Sequence, residues 1–133
     1  MRLRITVLGN DQFMPCVEKK VWGSKTNRFK SWQEGDYLLF IIRDAGVALA
    51  RVSGPTFISE DLIWDKGIYP FRVPIEFEIL PDLNNGKKQE KIVREKLTQA
   101  YGNYYSWVLF TQSLILENAS NDILAAVGHK KRI

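Results

Sequence analysis

The sequence has almost none of the residues from which disulfides and metal sites are built. Its 133 residues include one cysteine, Cys16, and one histidine, His129. A single cysteine cannot form an intrachain disulfide, which fits a reducing cytosol, so we expect a cytoplasmic protein. One cysteine and one histidine cannot supply the ligands of a usual zinc site. The sequence therefore predicts neither a metal site nor a cofactor.

Long hydrophobic runs and catalytic motifs are missing as well. No apolar stretch approaches the roughly 20 residues that span a membrane, and the N-terminus has no apolar region of a signal peptide. The sequence contains no phosphate loop, nucleophile elbow or zinc-protease motif. Three loop acids, Glu60, Asp61 and Asp65, suit a small hydrolase, although such acids are more often solvated surface. We therefore expect a binding protein rather than an enzyme, with a hydrolase as an alternative.

Aromatic residues and positive charge, in contrast, are plentiful. The chain holds four tryptophans, five tyrosines and seven phenylalanines, and its net charge is +4. Residues 19–32, KKVWGSKTNRFKSW, concentrate both features without the periodicity of a helix or a strand. Residues 52–86 lean acidic. A basic face opposite an acidic one would steer a polyanion such as nucleic acid to one side.

The hydrophobic pattern predicts one α+β domain over residues 1–133. Helices are predicted at about 10–17, at 87–101 and in ASNDILAAV, the last capped by Ser120 or Asn118. Short connections between the central strands indicate a small, strongly curved, mostly antiparallel β-barrel flanked by helices. Residues 128–133, GHKKRI, form a basic tail. The predicted strands are RLRITVL, YLLFIIR, VALARVSG, FRVPIEFEIL, SWVLFT and SLILEN.

Three pieces of the chain, taken in order, resemble an EVE domain. VWGSKTNRFKSWQEGDYLLFII has the apolar-Trp-Gly opening, the polar loop and the Gly-Asp turn into a strand. GVALARVSGPTF and IYPFRVPIEF resemble the following strands of that family. The order and spacing of the three pieces agree with the family from about Val21 to Phe77. One difference is that Thr56 follows the Ser-x-Pro turn, so the aromatic residue usual there is displaced to Phe57. The helix at 87–101 is also longer and more charged than the family pattern.

The resemblance implies a PUA-like fold, in the superfamily that also contains ASCH and YTH domains. YTH domains hold N6-methyladenine of RNA in an aromatic cage, and EVE-like domains also serve modification-dependent restriction systems. The resemblance thus implies a module that takes a modified or flipped base into an aromatic pocket, although fold membership does not choose the substrate. Modified DNA is the first expected target and RNA the alternative.

A restriction system would also supply partners. The abrupt end of the basic tail fits a recognition module cut from a larger protein, so an NTPase or nuclease would be fused or associated. We expect the isolated domain to be a monomer that does not bind membranes. A third possibility is a module that binds another protein through the helix at 87–101.

The resemblance predicts the site residues, together with the requirements for binding a flipped base. Such a base binds in a pocket that has flat walls and a few polar groups at its edge. Trp22 matches the Trp-Gly position of the family, where this segment lines the pocket; the alternative is that Trp22 anchors the core. Gly23 would let the backbone approach the base closely. Trp32 and Trp107 are expected in the core. The predicted base pocket comprises Trp22, Gly23, Ser24, Lys25, Asn27, Trp64, Asp65, Tyr69 and Gln112. The predicted phosphate contacts are Lys19, Lys20, Arg28, Lys30 and Arg72, the last because it alternates away from the core face of its strand.

Overall fold

The computed structural model describes residues 2–129, so residues 130–133 of the basic tail lie outside the described residues. Within that range, a six-stranded sheet is combined with four helices. Among these residues no helix is long and apolar enough to cross a membrane. The strands are β1 (Leu3–Leu8), β2 (Val21–Ser24), β3 (Tyr37–Ile42), β4 (Gly46–Val52), β5 (Phe57–Ile58) and β6 (Phe71–Ile79). The helices are α1 (Asn10–Lys19), α2 (Gly86–Tyr101), α3 (Ser106–Thr111) and α4 (Glu117–Ala126).

The sheet is a curled half-barrel with the strand order β1-β3-β4-β6-β2, and β5 pairs with the beginning of β6. All pairings are antiparallel except that of β1 with β3, which is parallel. The predicted α+β class is therefore confirmed. Because β1 and β2 stand at the two ends of this order, each leaves one long side unpaired by the sheet.

The central strands are buried on both faces, as the apolar run YLLFIIR predicts. Leu39 and Ile41 pack in a core with α2, α3 and α4, whereas Leu38 and Phe40 pack in a second core inside the curve of the sheet. The second core also receives Phe13 from α1. Two cores hold both faces of β3, so its position is rigidly set, and β3 pairs with β1, which forms one wall of the cleft described below.

Strand β1 departs from the expected pattern, because Arg4 and Thr6 are buried rather than solvated. The curve of the sheet covers their face, and Asp36 from the turn before β3 supplies a counter-charge. Arg4 Nη1 lies 2.8 Å from Asp36 Oδ2, and Arg2 Nε lies 2.7 Å from Asp36 Oδ1. The Arg4 guanidinium also stacks on Trp32, 4.6 Å from the ring centroid. Trp32 packs against the inner core while staying partly exposed.

The two strands predicted nearest the C-terminus are wrong. SWVLFT forms the short helix α3, and SLILEN is a connection whose last residues begin α4 with Leu116 as the N-cap. A six-residue apolar run fits a strand or a buried helical turn equally well. The helix turns Trp107 outward, where 56% of it is exposed, so its predicted place in the core is also wrong.

Candidate functional site

A cleft of about 660 Å³ lies between the free sides of β1 and β2 and is flanked by α3. This volume is within the range of small-ligand sites. Residues of both edge strands form its walls, and α3 adds Leu109 and Phe110. The full lining is Thr6, Val7, Leu8, Gln12, Trp22, Gly23, Ser24, Lys25, Thr26, Arg28, Arg43, Tyr69, Arg94, Ser106, Leu109, Phe110 and Gln112.

Gln112 joins the two edge strands across the floor of the cleft. Its Nε2 donates to Thr6 Oγ1 at 3.2 Å, and its Oε1 accepts from Trp22 Nε1 at 3.2 Å. Gln112 adopts the left-handed backbone conformation that ends α3, with φ of 53°. The Trp22 ring also meets Phe40 edge to face, with centroids 5.5 Å apart. Trp22 is therefore held in one orientation while part of its ring stays exposed.

Trp64 stands behind this wall and is only 4% exposed. Its Nε1 donates to the Gln12 carbonyl at 3.1 Å, and its ring meets Tyr69 edge to face at 5.5 Å. The contact with Gly23 is so close that a Cβ added there would lie 2.7 Å from Trp64 Cη2. Cys16 lies in the same cluster, where burial raises the pKa of its thiol to about 12. The wall is thus buried and tightly packed.

A second, much smaller cavity of about 40 Å³ adjoins the cleft. Its lining consists of three aromatic rings, Trp22, Trp64 and Tyr69, together with Gln12 and Gly23. Four of these five residues, all but Trp64, also line the cleft itself. The arrangement is an aromatic recess that opens beside the exposed part of Trp22.

The side chains around the cleft give it a positive charge. Lys25, Arg28, Arg43 and Arg94 line it, and among the described residues no acidic side chain does. The Lys25 ammonium lies 5.4 Å from the Tyr69 ring centroid. Arg94 donates to Glu90 at 2.9 Å, so its charge is partly compensated. The remaining cations leave a field that attracts anions.

The structure brings most of the predicted pocket together. Trp22, Gly23, Ser24, Lys25, Tyr69 and Gln112 line the cleft, Trp64 lines the recess, and Arg28, predicted for phosphate, lines the cleft wall. Five others are exposed and line neither space: Lys19, Lys20, Asn27, Lys30 and Asp65. Their predicted roles stay predictions, and the lysines add to the charge near β2.

The expected outward orientation of Arg72 is wrong, since Arg72 is only 1% exposed. The beginning of β6 runs between β2 and β5, and the preceding loop covers its other face. The guanidinium donates to the carbonyls of Tyr69, Ile68 and Asp61 and lies 5.5 Å from the Trp64 ring centroid. Arg72 therefore fixes the loop that carries Trp64 and Tyr69 and has no surface for phosphate.

Several cleft residues carry no local signal in the sequence. Thr6 and Gln12 come from β1 and α1, whereas Arg43 and Arg94 come from the β3–β4 turn and from α2. They meet only through the pairing of β1 with β3 and the packing of α2. The charge of the predicted helix at 87–101 was the one available sign that this helix contributes to a basic surface. No group of three or more potential metal ligands occurs among residues 2–129.

Gly23→Ala is expected to destabilise the protein and to narrow the recess. The new Cβ would lie 2.7 Å and 2.9 Å from two carbons of Trp64, whose indole is fixed by its hydrogen bond. Overpacking of this kind costs about 1–3 kcal/mol, which thermal unfolding would detect as a drop of several degrees. Gly54→Ala is the control, since its Cβ would meet only Pro74, at 3.3 Å. Equal stability of the two variants would contradict the expected overpacking.

Comparison with known proteins identifies the fold. No family model matches the sequence, and no curated protein matches it. Among solved structures, the YTH domain of the Zygosaccharomyces rouxii MRB1 protein, in complex with N6-methyladenosine RNA, matches with a TM-score of 0.63 and 16% identity, over 98% of this chain and 88% of that one. The YTH domain-containing protein mmi1, in complex with RNA, matches with a TM-score of 0.63 and 12% identity, over 95% and 80%.

The Pho92 YTH domain in complex with m6A matches with a TM-score of 0.59 and 15% identity, over 98% of this chain and 85% of that one. The chain therefore has the fold of YTH domains, which is the PUA-like fold that the resemblance implied. At identities this low, the likeness establishes the fold alone. The EVE family in particular stays a prediction.

Proposed function

We propose that the protein binds single-stranded RNA and takes one modified base, with N6-methyladenine as the first candidate, into the cleft at Trp22. The observation that carries the proposal is the aromatic recess of Trp22, Trp64 and Tyr69 beside a positively charged cleft. A base stacked on the exposed part of Trp22 would gain about 1–3 kcal/mol. Gln112 and Phe40 already hold the ring in place, so little ordering is needed on binding.

The recess suits a methyl group on the edge of the base. Its volume of about 40 Å³ is large enough to admit one small group, since a single water molecule needs a cavity of about 10–15 Å³. A methyl group that leaves water for this recess gains roughly 0.8 kcal/mol. An unmodified amine in the same place would turn an unpaired N–H towards aromatic rings, which costs about 1–3 kcal/mol. The two effects favour the methylated base.

The cations around the cleft suit the phosphates that flank the base. Lys25, Arg28 and Arg43 stand on its rim or wall without an acidic residue among the lining. Such contacts position a strand and carry no sequence information themselves. We therefore expect affinity to fall with salt, while the preference for the modified base persists.

RNA is a better supported target than DNA. The three solved structures compared above are complexes with RNA or m6A. Neither the cleft nor these matches supports the modified-DNA target of a restriction system, or an associated NTPase or nuclease. The hydrolase alternative is also weakly supported, because Glu60, Asp61 and Asp65 are exposed and do not line the cleft.

The test is a titration of matched labelled oligonucleotides, followed by fluorescence anisotropy. RNA with one central N6-methyladenine should bind at least about tenfold more tightly than RNA of the same sequence with adenine. RNA with 5-methylcytosine and DNA with N6-methyladenine complete the set. Equal, salt-sensitive binding to all four would contradict base recognition. Preference for the methylated DNA would favour a role in a modification-dependent restriction system. Failure to bind any of the four oligonucleotides at low salt would favour a module that binds another protein through α2.

A further inference from the structure

Three aromatic side chains project into solvent on and just before α3. Tyr104 is 89% exposed, Trp107 56% and Phe110 81%. We call this set the aromatic ridge. Only one other strongly exposed aromatic residue, Phe57 on β5, occurs among the described residues. Large rings in water are unusual in such density and commonly mark a binding surface.

The aromatic ridge starts at the rim of the cleft. Phe110 lines the cleft, and its carbonyl accepts a hydrogen bond from Arg28 Nη1 at 3.3 Å. Trp107 lies three residues before Phe110, so the two rings are neighbours on the helix surface. Trp107 does not line the cleft and meets Tyr101 edge to face at 5.9 Å. The ridge thus leads from the cleft outward over the protein surface.

The charges along this path match a polyanion. Arg28 lies at the foot of the ridge, and Arg94 lies on the neighbouring helix, where it donates to Tyr105 Oη at 3.0 Å. Flat rings alternating with cations are the usual composition of surfaces that bind single-stranded nucleic acid, because bases stack and phosphates pair. An apolar protein partner would find these cations unfavourable to desolvate.

We propose that the aromatic ridge stacks on the bases next to the modified one, first on Phe110 and then on Trp107. This inference rests on the proposed function of the cleft, and it extends the site from one base to a short strand. Stacking of this kind requires unpaired bases. The ridge therefore selects single-stranded RNA over a duplex, and the cleft alone selects the modified base.

Trp107→Ala separates the two contributions. For an RNA of about seven nucleotides with central N6-methyladenine, we expect affinity to fall about 5- to 150-fold. Affinity for the free N6-methyladenosine nucleoside, measured by NMR titration, should stay unchanged, because Trp107 lies outside the cleft. Replacing only the base expected on Trp107, the second from the modified base on that side, by an abasic site should weaken wild type by a similar factor. The same replacement should leave Trp107→Ala almost unaffected.

Two further variants keep the test independent of folding. Tyr104→Ala removes the most exposed ring of the ridge. Phe57→Ala is the control, because it removes an exposed ring elsewhere and should leave RNA affinity unchanged. If the nucleoside binds but Trp107→Ala and Tyr104→Ala bind every RNA as wild type does, the ridge proposal is overturned. Self-association through the ridge that RNA does not reverse would also overturn it. If wild type does not bind the nucleoside, the proposed function of the cleft fails instead.

Discussion

Replacing Trp22 by alanine should weaken binding of modified RNA by about 5- to 150-fold, or by more if the recess also collapses. The change removes the stacking face of the cleft and one of the three rings around the recess. It also frees Gln112 Oε1 from its partner, so the link between β1 and β2 weakens. Affinity for unmodified RNA should fall less, because the phosphate contacts of the cations remain. Anisotropy titration of both RNAs measures the difference.

Trp32→Ala is the matched control for this experiment. Trp32 is also a partly buried tryptophan in the inner core, but it stacks on Arg4 and does not line the cleft. Its loss should lower stability without changing the preference for the modified base. Unchanged binding by a folded Trp22→Ala variant would contradict the stacking role.

Trp64→Ala is not an equivalent test of the cleft, although both tryptophans border the recess. Trp64 is 4% exposed and packs on Gly23, Cys16 and Tyr69. Truncating a buried tryptophan typically costs about 3–5 kcal/mol. We therefore expect Trp64→Ala to unfold at a markedly lower temperature, so a loss of RNA binding by this variant would report folding.

The parts of the site that the sequence predicts are those carried by one continuous segment. Trp22, Gly23, Ser24 and Lys25 are consecutive, so the pattern that identifies one locates them all. Gln112 was predicted in the pocket, but it lies between SWVLFT and SLILEN, which were wrongly predicted to be strands. It reaches the cleft because α3 ends there in a left-handed turn.

Residues assembled by tertiary contacts could not be predicted in this way. Arg43 and Arg94 are more than 50 residues apart in the chain and meet across the same cleft. For Arg72 the local pattern predicts the wrong environment, since strand alternation alone places its side chain in solvent. Its burial depends on β2, β5 and the loop before β6, and none of these is visible in the local pattern. For the four strands that periodicity predicts correctly, it locates the strand but does not show which faces stay open.

Removing the charge of Asp36 is expected to be among the most destabilising single substitutions in the chain. Asp36 is buried and accepts hydrogen bonds from Arg4 at 2.8 Å, Arg2 at 2.7 Å and the backbone N–H of Gln33 at 2.9 Å. Without the carboxylate, the Arg4 guanidinium would remain buried and uncompensated. Breaking a buried pair in this way costs about 3–5 kcal/mol, a large share of the roughly 5–15 kcal/mol that stabilises a domain. Urea unfolding of Asp36→Asn at pH 7 measures the loss.

The effect of Asp36→Asn on stability should depend on pH, whereas a simple loss of packing would not. Burial raises the pKa of Asp36, but the hydrogen bonds from Arg2, Gln33 and Arg4 outweigh it and lower the pKa below its usual range. The stabilisation is therefore complete above the unfolded-state pKa, about 3.9, and is lost as the pH falls through the folded-state pKa. The stability gap between wild type and Asp36→Asn should be constant from pH 7 to about pH 5 and should close in stronger acid.

Glu76→Ala provides the comparison for a surface pair, because Glu76 is exposed and lies 3.3 Å from Arg51. Such pairs contribute about 0–1 kcal/mol, so this variant should unfold close to wild type at every pH. A gap for Asp36→Asn below 1 kcal/mol at pH 7, or one that persists unchanged in strong acid, would show that the buried pair does not hold β1 to the turn before β3. The first outcome would also mean that water or another group compensates Arg4. In that case the β1 wall of the cleft, with Thr6 and its bond to Gln112, would depend on the apolar core alone.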